Sequence, residues 1–179
     1  MRLLPLLIIV GCVSCSLDYR PAQVGEDRSD EIPETVMVQA RMVIVRSEAR
    51  RFQVSAGRVA AYPRRQRQEF TAFEFREFDS DGELLSSGSA DFAVYHTDSD
   101  NVDLSGNIVF YSTAQEARIL ADALFWNDAE RMLTGEPDAV VRLERDGGTV
   151  VEGIGFSADM RTSTMEFARQ VSGRLVTDE

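Results

Sequence analysis

The sequence predicts an all-β fold of stacked antiparallel hairpins, and two observations support this. Apolar and polar side chains alternate through most of the chain, on either side of short polar turns, which is typical of strands with one buried face. A unit of roughly 30–40 residues also recurs, as in repeat architectures. Each unit has the pattern of a hairpin followed by a linking strand. The three units open at Ala90-Asp91, Ala121-Asp122 and Ala158-Asp159 and close on Gly106, Gly135 and Gly173.

Residues 1–15 have the features of an export signal. The charged start Met1-Arg2 precedes the apolar run Leu3–Val13, which is shorter than the about 20 residues of a membrane-spanning helix. Cys12 ends the segment IVGC, which fits the pattern of small residues before an acylated cysteine, and Cys15 lies at a more usual distance from the start. We expect lipidation at Cys12 or Cys15, with a short uncleaved anchor or a cleaved soluble form as the alternatives.

Residues 16–34 are expected to form an acidic, flexible tether. The segment Leu17–Glu34 is polar and contains Pro21, Gly25 and Pro33. It cannot bury enough apolar surface to offset the entropy lost on ordering. A single folded domain is therefore predicted over residues 35–179, which is long enough to bury a substantial core.

The domain opens with two predicted strands that flank a turn near Ser47–Arg50. Apolar residues of the first strand share one parity and are expected to form a buried face. The second strand continues with Phe52, Val54 and Ala56 and ends at Tyr62-Pro63, because proline cannot donate to a sheet ladder. The residues of the first buried face are Val36, Val38, Ala40, Met42 and Ile44.

Further elements continue the same alternation. Phe73 and Phe75 alternate with charged residues in a third strand, and the segment from Asp79 to Gly82 predicts a tight turn. Asp146-Gly147-Gly148 predicts a second hairpin turn. The segment 114–126 has good helix formers at helical spacing and by itself favours a helix. Its alignment with the other repeat units instead predicts a strand.

Charge is distributed unevenly along the chain, which has no lysine and a net charge of −11. From Arg41 to Arg76 nine arginines face three glutamates, whereas from Glu77 to Glu179 seven arginines face twenty-one acidic residues. The acidic total argues against a nucleic-acid partner, which requires a basic footprint. The asymmetry is explained either by solvated faces or by a polar molecule suited to head-to-tail contacts or to an anionic ligand.

No motif in the chain predicts catalysis, a metal or a cofactor. Gly153-Ile-Gly155-Phe-Ser-Ala158 matches a dinucleotide fingerprint, but no helical pattern follows it, so its glycines are expected to serve close packing or a bulge. His96 is the only histidine, and the nearby Asp98, Asp100 and Asp103 lack the glycine and glutamate of a calcium loop. Both cysteines precede the predicted domain, which excludes disulfide chemistry there.

The large apolar residues of the repeats are predicted to line the interior of the stacked hairpins. Such an interior is either a packed core or an open apolar trough, and the sequence leaves both possible. The same-parity set is Phe92, Val94, Leu104, Ile108, Phe110, Phe125, Leu143, Phe156 and Met160.

The order of signal, acidic tether and hairpins resembles the LptC family, within the wider OstA-like group. The phrase LADALFWNDAERMLTG is the most specific, and the resemblance covers Val36–Val176. It implies a single antiparallel β-jellyroll shaped like a twisted boat. It also implies a place at the periplasmic face of the inner membrane, beside an ABC exporter of LptB, LptF and LptG, and transfer of lipopolysaccharide to LptA. Family members usually carry a transmembrane helix, for which a lipid anchor would substitute here.

The resemblance also assigns roles to residues. The same-parity set, with Val38, Met42, Ile44, Phe73 and Phe75, would contact the acyl chains of lipopolysaccharide or a related glycolipid. Val43 and Val45 would meet the exporter, and Val171 and Leu175 would meet the next bridge protein, because exposed sheet edges recruit further strands. The alternatives are a structural envelope lipoprotein with a closed β core and a soluble LptA-like shuttle.

Overall fold

The computed structural model describes residues 31–45 and 51–176. In this part of the chain all regular elements are antiparallel strands, apart from one 3₁₀ turn at Pro63–Arg65, so the predicted all-β class is confirmed. The strands are β1 (Thr35–Val45), β2 (Arg51–Tyr62), β3 (Arg67–Phe78), β4 (Leu84–His96), β5 (Val102–Ser112), β6 (Ala117–Asn127), β7 (Met132–Gly135), β8 (Val140–Arg145), β9 (Val150–Asp159) and β10 (Thr164–Arg174).

The ten strands form one sheet in which each strand pairs with its neighbours in sequence, except that β7 and β8 do not pair with each other. Strands β7 and β8 together occupy one position between β6 and β9, since β7 pairs with Leu124–Asn127 of β6 and β8 pairs with Ala117–Leu120. The segment 136–139 interrupts this position. Arg169 on β10 holds the interrupting segment, because its guanidinium donates to the carbonyl of Pro137 and to Asp138, both at 2.7 Å. Strands β1 and β10 are the two edges of the sheet.

An irregular line, called the crease below, crosses the strands near their middles. Strand pairing is offset between Ser89 and Phe92 of β4 and between Ser105 and Ile108 of β5. Backbones on this line adopt the left-handed region, which non-glycine residues visit rarely. Mid-strand residues with a positive φ are Gln39, Ala72, Gly106, Asn107, Gly155 and Gln170. A bulge of this kind bends a strand and increases its local twist.

The crease changes which alternate residues point inward. Strand β4 buries Ser86 and Ala90 before the crease but Ala93 after it, so the buried parity switches. Strand β5 keeps its parity, because Gly106 and Asn107 both adopt a positive φ there. Strand β6 switches like β4, since it buries Ala117 and Ile119 before the crease and Leu124 after it, so a single period-2 pattern does not extend over the full length of these two strands.

The two halves of the sheet face each other across an apolar interior. One buried cluster joins Ile119 of β6, on one side of the crease, to Leu124 of the same strand on the other side. It includes Phe156 and Val141, which are 2% and 0% exposed. A second, smaller cluster forms around Val59 and Phe70 of β2 and β3. The folded sheet thus provides both layers of its own core.

Most elements expected from the sequence are present. The break at Pro63 and the hairpin turn at Gly148 are confirmed, and the turn at Gly82 has a φ of +87°. The segment 117–127 is a strand, as its alignment with the repeats predicted. Glycines 153 and 155 pack closely against Phe167 and Ala168 of β10, so their expected packing role is confirmed. The turn expected near residues 47–50 lies outside the described residues.

The predicted buried face of β1 is wrong at three positions. Ile44, near the end of the strand, is 44% exposed. The other two residues precede Gln39. Val36 is 48% exposed and Val38 is 71% exposed, whereas Ala40 and Met42 pack against the smaller cluster. The physical reason is the positive φ at Gln39, which separates the two parts of this edge strand.

Each of the three repeat units contains a hairpin, but the aspartates that mark the units do not occupy equivalent positions in their strands. Asp91 and Asp122 lie in mid-strand at the crease, where the Asn107 side-chain amide donates to Asp91 Oδ2 at 2.7 Å. Asp159 instead ends β9 and accepts hydrogen bonds from the turn that follows. In the third repeat unit the Asp landmark therefore lies at the end of a strand, beside the turn and not in mid-strand.

Substitution of Gly106 tests how much the crease contributes to the free energy of unfolding. A Cβ atom there would lie 2.6 Å from Asp91 Oδ2, and the backbone has a φ of +76°. We expect Gly106→Ala to lower the free energy of unfolding by more than about 1 kcal/mol, because the substitution adds a clash to an unfavourable φ. Urea denaturation measures the loss.

Two other glycines provide matched controls. Gly82 has a φ of +87° with no atom within 4 Å of a built Cβ, so Gly82→Ala isolates the cost of φ. Gly147→Ala has neither cost, since open space surrounds its Cβ as well. Equal losses for Gly106→Ala and Gly82→Ala would contradict a role for the contact with Asp91.

Candidate functional site: an apolar cavity between the sheet halves

A cavity of about 440 Å³ lies between the two halves of the folded sheet and is partly open to solvent. This volume falls within the range of small-molecule binding sites. Its apolar wall is formed by residues of β1 to β5, of β7 and β10, and of the turn that precedes β10. The main apolar lining residues are Ile44, Phe52, Val54, Phe73, Phe75, Leu85, Val102, Leu104, Phe110, Leu133, Met160 and Met165.

A row of phenylalanine rings forms one wall of the cavity. The ring centroids of Phe73 and Phe75 are 6.1 Å apart, and those of Phe75 and Phe110 are 6.0 Å apart. Gly88 of β4 lies between Phe75 and Phe110 in the strand register. A Cβ atom at Gly88 would come within 2.5 Å of the Phe75 ring, so the absence of a side chain allows the two rings to approach. Glycine at this position thus shapes the wall.

One end of the cavity, called the aromatic mouth below, consists of Tyr95, Asp100, Trp126, Asp128 and Arg131. The Tyr95 hydroxyl donates to Asp100, and the Trp126 indole N–H donates to Asp128 Oδ1 at 3.3 Å. The Arg131 guanidinium carbon lies 4.7 Å from the centroid of the Trp126 ring, within cation–π range. All five side chains are half-buried. The mouth is therefore polar, ordered by its own contacts and continuous with the apolar wall.

Asp159 extends the aromatic mouth at the turn between β9 and β10. Hydrogen bonds from the Arg161 guanidinium, and then from the backbone amides of Arg161 and Thr162, hold the pKa of Asp159 below its usual range. The backbone amide of Met160 donates to the carbonyl of Arg131 at 3.0 Å, which ties this turn to the preceding one.

The cavity has a second polar region near the start of β4. The Ser86 hydroxyl donates to Glu77 Oε2 at 2.8 Å, and Ser112 and Gln115 also line this region. Ser86 is 7% exposed, so its hydroxyl has a defined partner in an otherwise apolar wall.

Ten of the fourteen predicted acyl-chain residues face the interior. Four of the ten pack in the buried clusters and not on the cavity wall: Met42, Ile108, Leu143 and Phe156. The six that line the cavity are Ile44, Phe73, Phe75, Leu104, Phe110 and Met160.

The expected interior position is wrong for Val38, Phe92, Val94 and Phe125. Phe92 and Val94 flank the buried Ala93, and Phe125 follows the buried Leu124, so alternation turns all three to the outer face. The switch of buried parity at the crease causes these errors.

The same switch explains the lining residues that sequence reasoning missed. Tyr95 and Trp126 are the immediate neighbours of the misplaced Val94 and Phe125, and both line the cavity. The sequence contains a sign of this switch, because Asp91 and Gly106 lie in mid-strand and both residue types are unfavourable in an uninterrupted strand.

The predicted partner residues lie at the two edges of the sheet. Val43 and Val45 of β1 are 60% and 70% exposed, and Val171 of β10 is 57% exposed. Leu175 directly follows β10 and is 76% exposed. Each edge strand has a sheet neighbour on one side only, so apolar side chains accompany backbone groups that can pair with a further strand.

Among the described residues no group of three or more acidic, histidine or cysteine side chains could hold a metal ion. In the same part of the chain, no helix is sufficiently long and apolar to cross a membrane.

The fold and the cavity define a β-jellyroll with an apolar trough between its sheet halves. The family of lipopolysaccharide-assembly, LptC-related proteins has a model that matches residues 4–176, and the chain belongs to this family. No curated protein sequence matches the chain.

A solved structure with the same fold is that of LptH, the LptA homologous periplasmic component of the conserved lipopolysaccharide transport device from Pseudomonas aeruginosa. The two chains superpose with a TM-score of 0.51 over 83% of this chain and 99% of LptH, at 8% sequence identity. At this identity the similarity concerns the fold alone. It confirms the predicted jellyroll class.

Proposed function

We propose that the protein is a periplasmic lipid-transfer component, which accepts lipopolysaccharide or a related glycolipid from an ABC exporter and passes it towards the outer membrane. The cavity between the sheet halves is the single observation that carries this proposal. Its wall is apolar, with the Phe73, Phe75 and Phe110 rings in a row, and it is partly open to solvent. Acyl chains that enter it would gain about 25 cal/mol for each Å² of apolar surface covered.

The cavity favours a carrier over a structural lipoprotein with a closed core. A protein with only a structural role would gain stability by filling a space of about 440 Å³ between its layers. Membership of the lipopolysaccharide-assembly family supports the same choice. The role requires no catalytic step, metal or cofactor, because transfer needs only a matched apolar surface.

The strand alternation provides a sharp test of acyl-chain contact. Leu104 lines the cavity, whereas its neighbour Asp103 is exposed on the outer face. Tyr95 on the cavity wall and the half-buried Val94 on the outer face form a second pair. We expect a photoreactive residue at Leu104 or Tyr95 to crosslink lipopolysaccharide in cells, and the same residue at Asp103 or Val94 to give little product. The crosslinked species are measured by immunoblotting against both components.

Equal crosslinking from both faces would contradict a cavity that holds the acyl chains. Crosslinking from the outer face alone would assign lipid contact to the opposite side of the sheet.

We propose that residues 16–34 form a tether and that Cys12 or Cys15 carries a lipid anchor on the inner membrane. Residues 1–30 lie outside the described part of the chain. Within residues 31–34, Ile32 is 62% exposed and the backbone amide of Glu34 donates to the carbonyl of Ala61 at 2.9 Å. Two or more acyl chains hold a protein stably on a membrane, whereas one does so only marginally. We expect replacement of both Cys12 and Cys15 by Ala to move the protein from the membrane fraction to the soluble fraction. Membrane retention of the double variant after a carbonate wash would exclude a cysteine-linked anchor.

The two exposed edges are proposed to join a continuous bridge. An LptF- and LptG-type exporter, with its LptB-type ATPase, would meet β1, and an LptA-type protein would add a strand to β10. Main-chain hydrogen bonds would supply affinity, and alternate side chains would supply register. The chain would then link the exporter to the next jellyroll through one extended sheet.

The edges are distinguished by site-specific crosslinking. We expect a photoreactive residue at Val43 or Val45 to capture the exporter, and one at Val171 or Leu175 to capture the LptA-type protein. Val140 is an apolar control of similar exposure, 58%, and belongs to β8, which is not an edge strand. Capture of the same partner from both edges, or from Val140 as efficiently as from an edge, would contradict this polarity.

A further inference from the structure

Three arginines lie together on the outer face of the first three strands, on the side opposite the cavity. They are Arg41 of β1, Arg51 of β2 and Arg76 of β3, and this group is called the basic face below. All three are exposed and alternate along their strands with residues that face the interior. In the strand register Gln53 lies between Val43 and Arg76. Because paired strands lie about 4.8 Å apart, the arginines form one patch around Gln53.

A depression of about 300 Å³, partly open to solvent, lies within this patch. Arg41 and Arg76 line it, together with the polar side chains of Gln53 and Ser55. Glu74 is the one carboxylate on its wall and accepts a hydrogen bond from the Ser55 hydroxyl at 3.5 Å. Three positive charges thus face one negative charge, and the depression has room for an anionic group.

The arginines of the basic face have no ion pair with any residue that the structure describes. Several arginines of the second half of the sheet are instead neutralised. Arg142 bonds to Glu144 and Glu152. Arg169 bonds to Asp138. The whole chain has 30 acidic residues and 19 arginines, so carboxylates are not scarce. The positive charge of the basic face is therefore available to an external anion.

We propose that the basic face rests on an anionic phospholipid surface, at the membrane to which the chain is proposed to be anchored. The inference rests on the proposed function, which includes the anchor at Cys12 or Cys15. Guanidinium groups bind phosphate oxygens through pairs of hydrogen bonds, and a bilayer presents many such groups side by side. Val43 and Val45, 60% and 70% exposed on the same face, add apolar surface suited to the boundary between headgroups and acyl chains.

The basic face is distinct from the edge proposed to meet the exporter. A strand added to β1 would extend the sheet sideways and pair through backbone groups. Arg76 lies on β3, two strands away from that edge, so edge pairing alone would not cover the basic face. A flat anionic surface can contact β1, β2 and β3 at once. The bilayer would therefore orient the sheet while the exporter binds its edge.

The proposed tether would hold the basic face close to the membrane. A flexible segment as long as residues 16–34 has a root-mean-square end-to-end distance of about 24 Å. The backbone amide of Glu34 donates to the carbonyl of Ala61, so this segment joins the sheet beside β2, the strand of Arg51. Anchoring then raises the local concentration of the basic face at the membrane. Because salt screens charges beyond about 8 Å, the local patch matters more here than the net charge of −11.

Chemical modification of arginine tests this contact in the full-length protein extracted from membranes. The protein is reconstituted into vesicles of phosphatidylcholine, or of phosphatidylcholine and phosphatidylglycerol in equal amounts, and treated with phenylglyoxal. Peptide mass spectrometry then gives the modification rate of each arginine. We expect the anionic vesicles to slow modification of the basic face at least about threefold relative to neutral vesicles, because only they carry a net negative surface charge. Added salt should remove this protection.

Two arginines elsewhere in the sheet are internal controls in the same sample. Arg145 of β8 and Arg174 of β10 are also exposed and have no ion pair with a described residue. Their modification rates should be the same in both vesicle types.

A matched pair of double variants separates the basic face from the net charge of the protein. Arg41→Gln/Arg76→Gln removes two positive charges from the basic face, whereas Arg145→Gln/Arg174→Gln removes two elsewhere. In anionic vesicles we expect the first variant to reduce the protection of Arg51 several-fold and the second to leave it unchanged. All four side chains are exposed, so both variants should retain the fold.

Equal modification of the basic face in both vesicle types would overturn contact with anionic lipid, as would equal effects of the two double variants. Protection already present in neutral vesicles would instead assign the face to the tether or to a second copy of the chain. Protection by inorganic phosphate as strong as that by anionic vesicles would assign it to a free anion. Protection that requires added exporter would assign it to a protein.

These outcomes are distinguishable from a failure of the proposed function. Loss of the protein from both vesicle types would overturn the lipid anchor, and this inference with it. Failure of a photoreactive residue at Leu104 to crosslink lipopolysaccharide would overturn the carrier but leave the protection of the basic face unchanged.

Discussion

The crease across the sheet is the constraint on which the rest of the structure depends. A flat sheet of this size would leave one whole apolar face in water, and bending it needs irregular backbone in successive strands. The positive φ values of Gly106 and Asn107, with the contact between Asn107 and Asp91, allow the bend while strand pairing resumes on both sides. Because the sheet bends, its two halves bury a common interior.

The interior is divided between a packed core and a cavity. Small and branched residues such as Ala117, Ile119 and Val141 fill the core around β6, β8 and β9. The rings of Phe75 and Phe110 instead line an open space in the first half of the sheet. The two regions meet at Leu133 and Ala158, which belong to the buried cluster and also line the cavity.

The folded sheet also has exposed edges, which a closed barrel would lack. β1 and β10 end the sheet at opposite sides and expose apolar residues such as Val45 and Val171. Arg169 connects one edge to the interrupted strand position, through its bonds to Pro137 and Asp138. The β10 edge is thus tied to the segment between β7 and β8 by a direct side-chain contact.

The sequence by itself determined the all-β class and the hairpin turns at Gly82 and Gly148, because turn chemistry and period-2 alternation are local properties. The strand at 117–127 followed instead from alignment with the other repeat units, since its own residues favour a helix. The sequence also determined much of the interior, including Phe73, Phe75 and Phe110. Only the tertiary structure decided the inward faces beyond the crease, where Tyr95 and Trp126 line the cavity in place of Val94 and Phe125. A shift of one residue reverses every later side chain, and the shift arises from how neighbouring strands pair, which no single strand specifies.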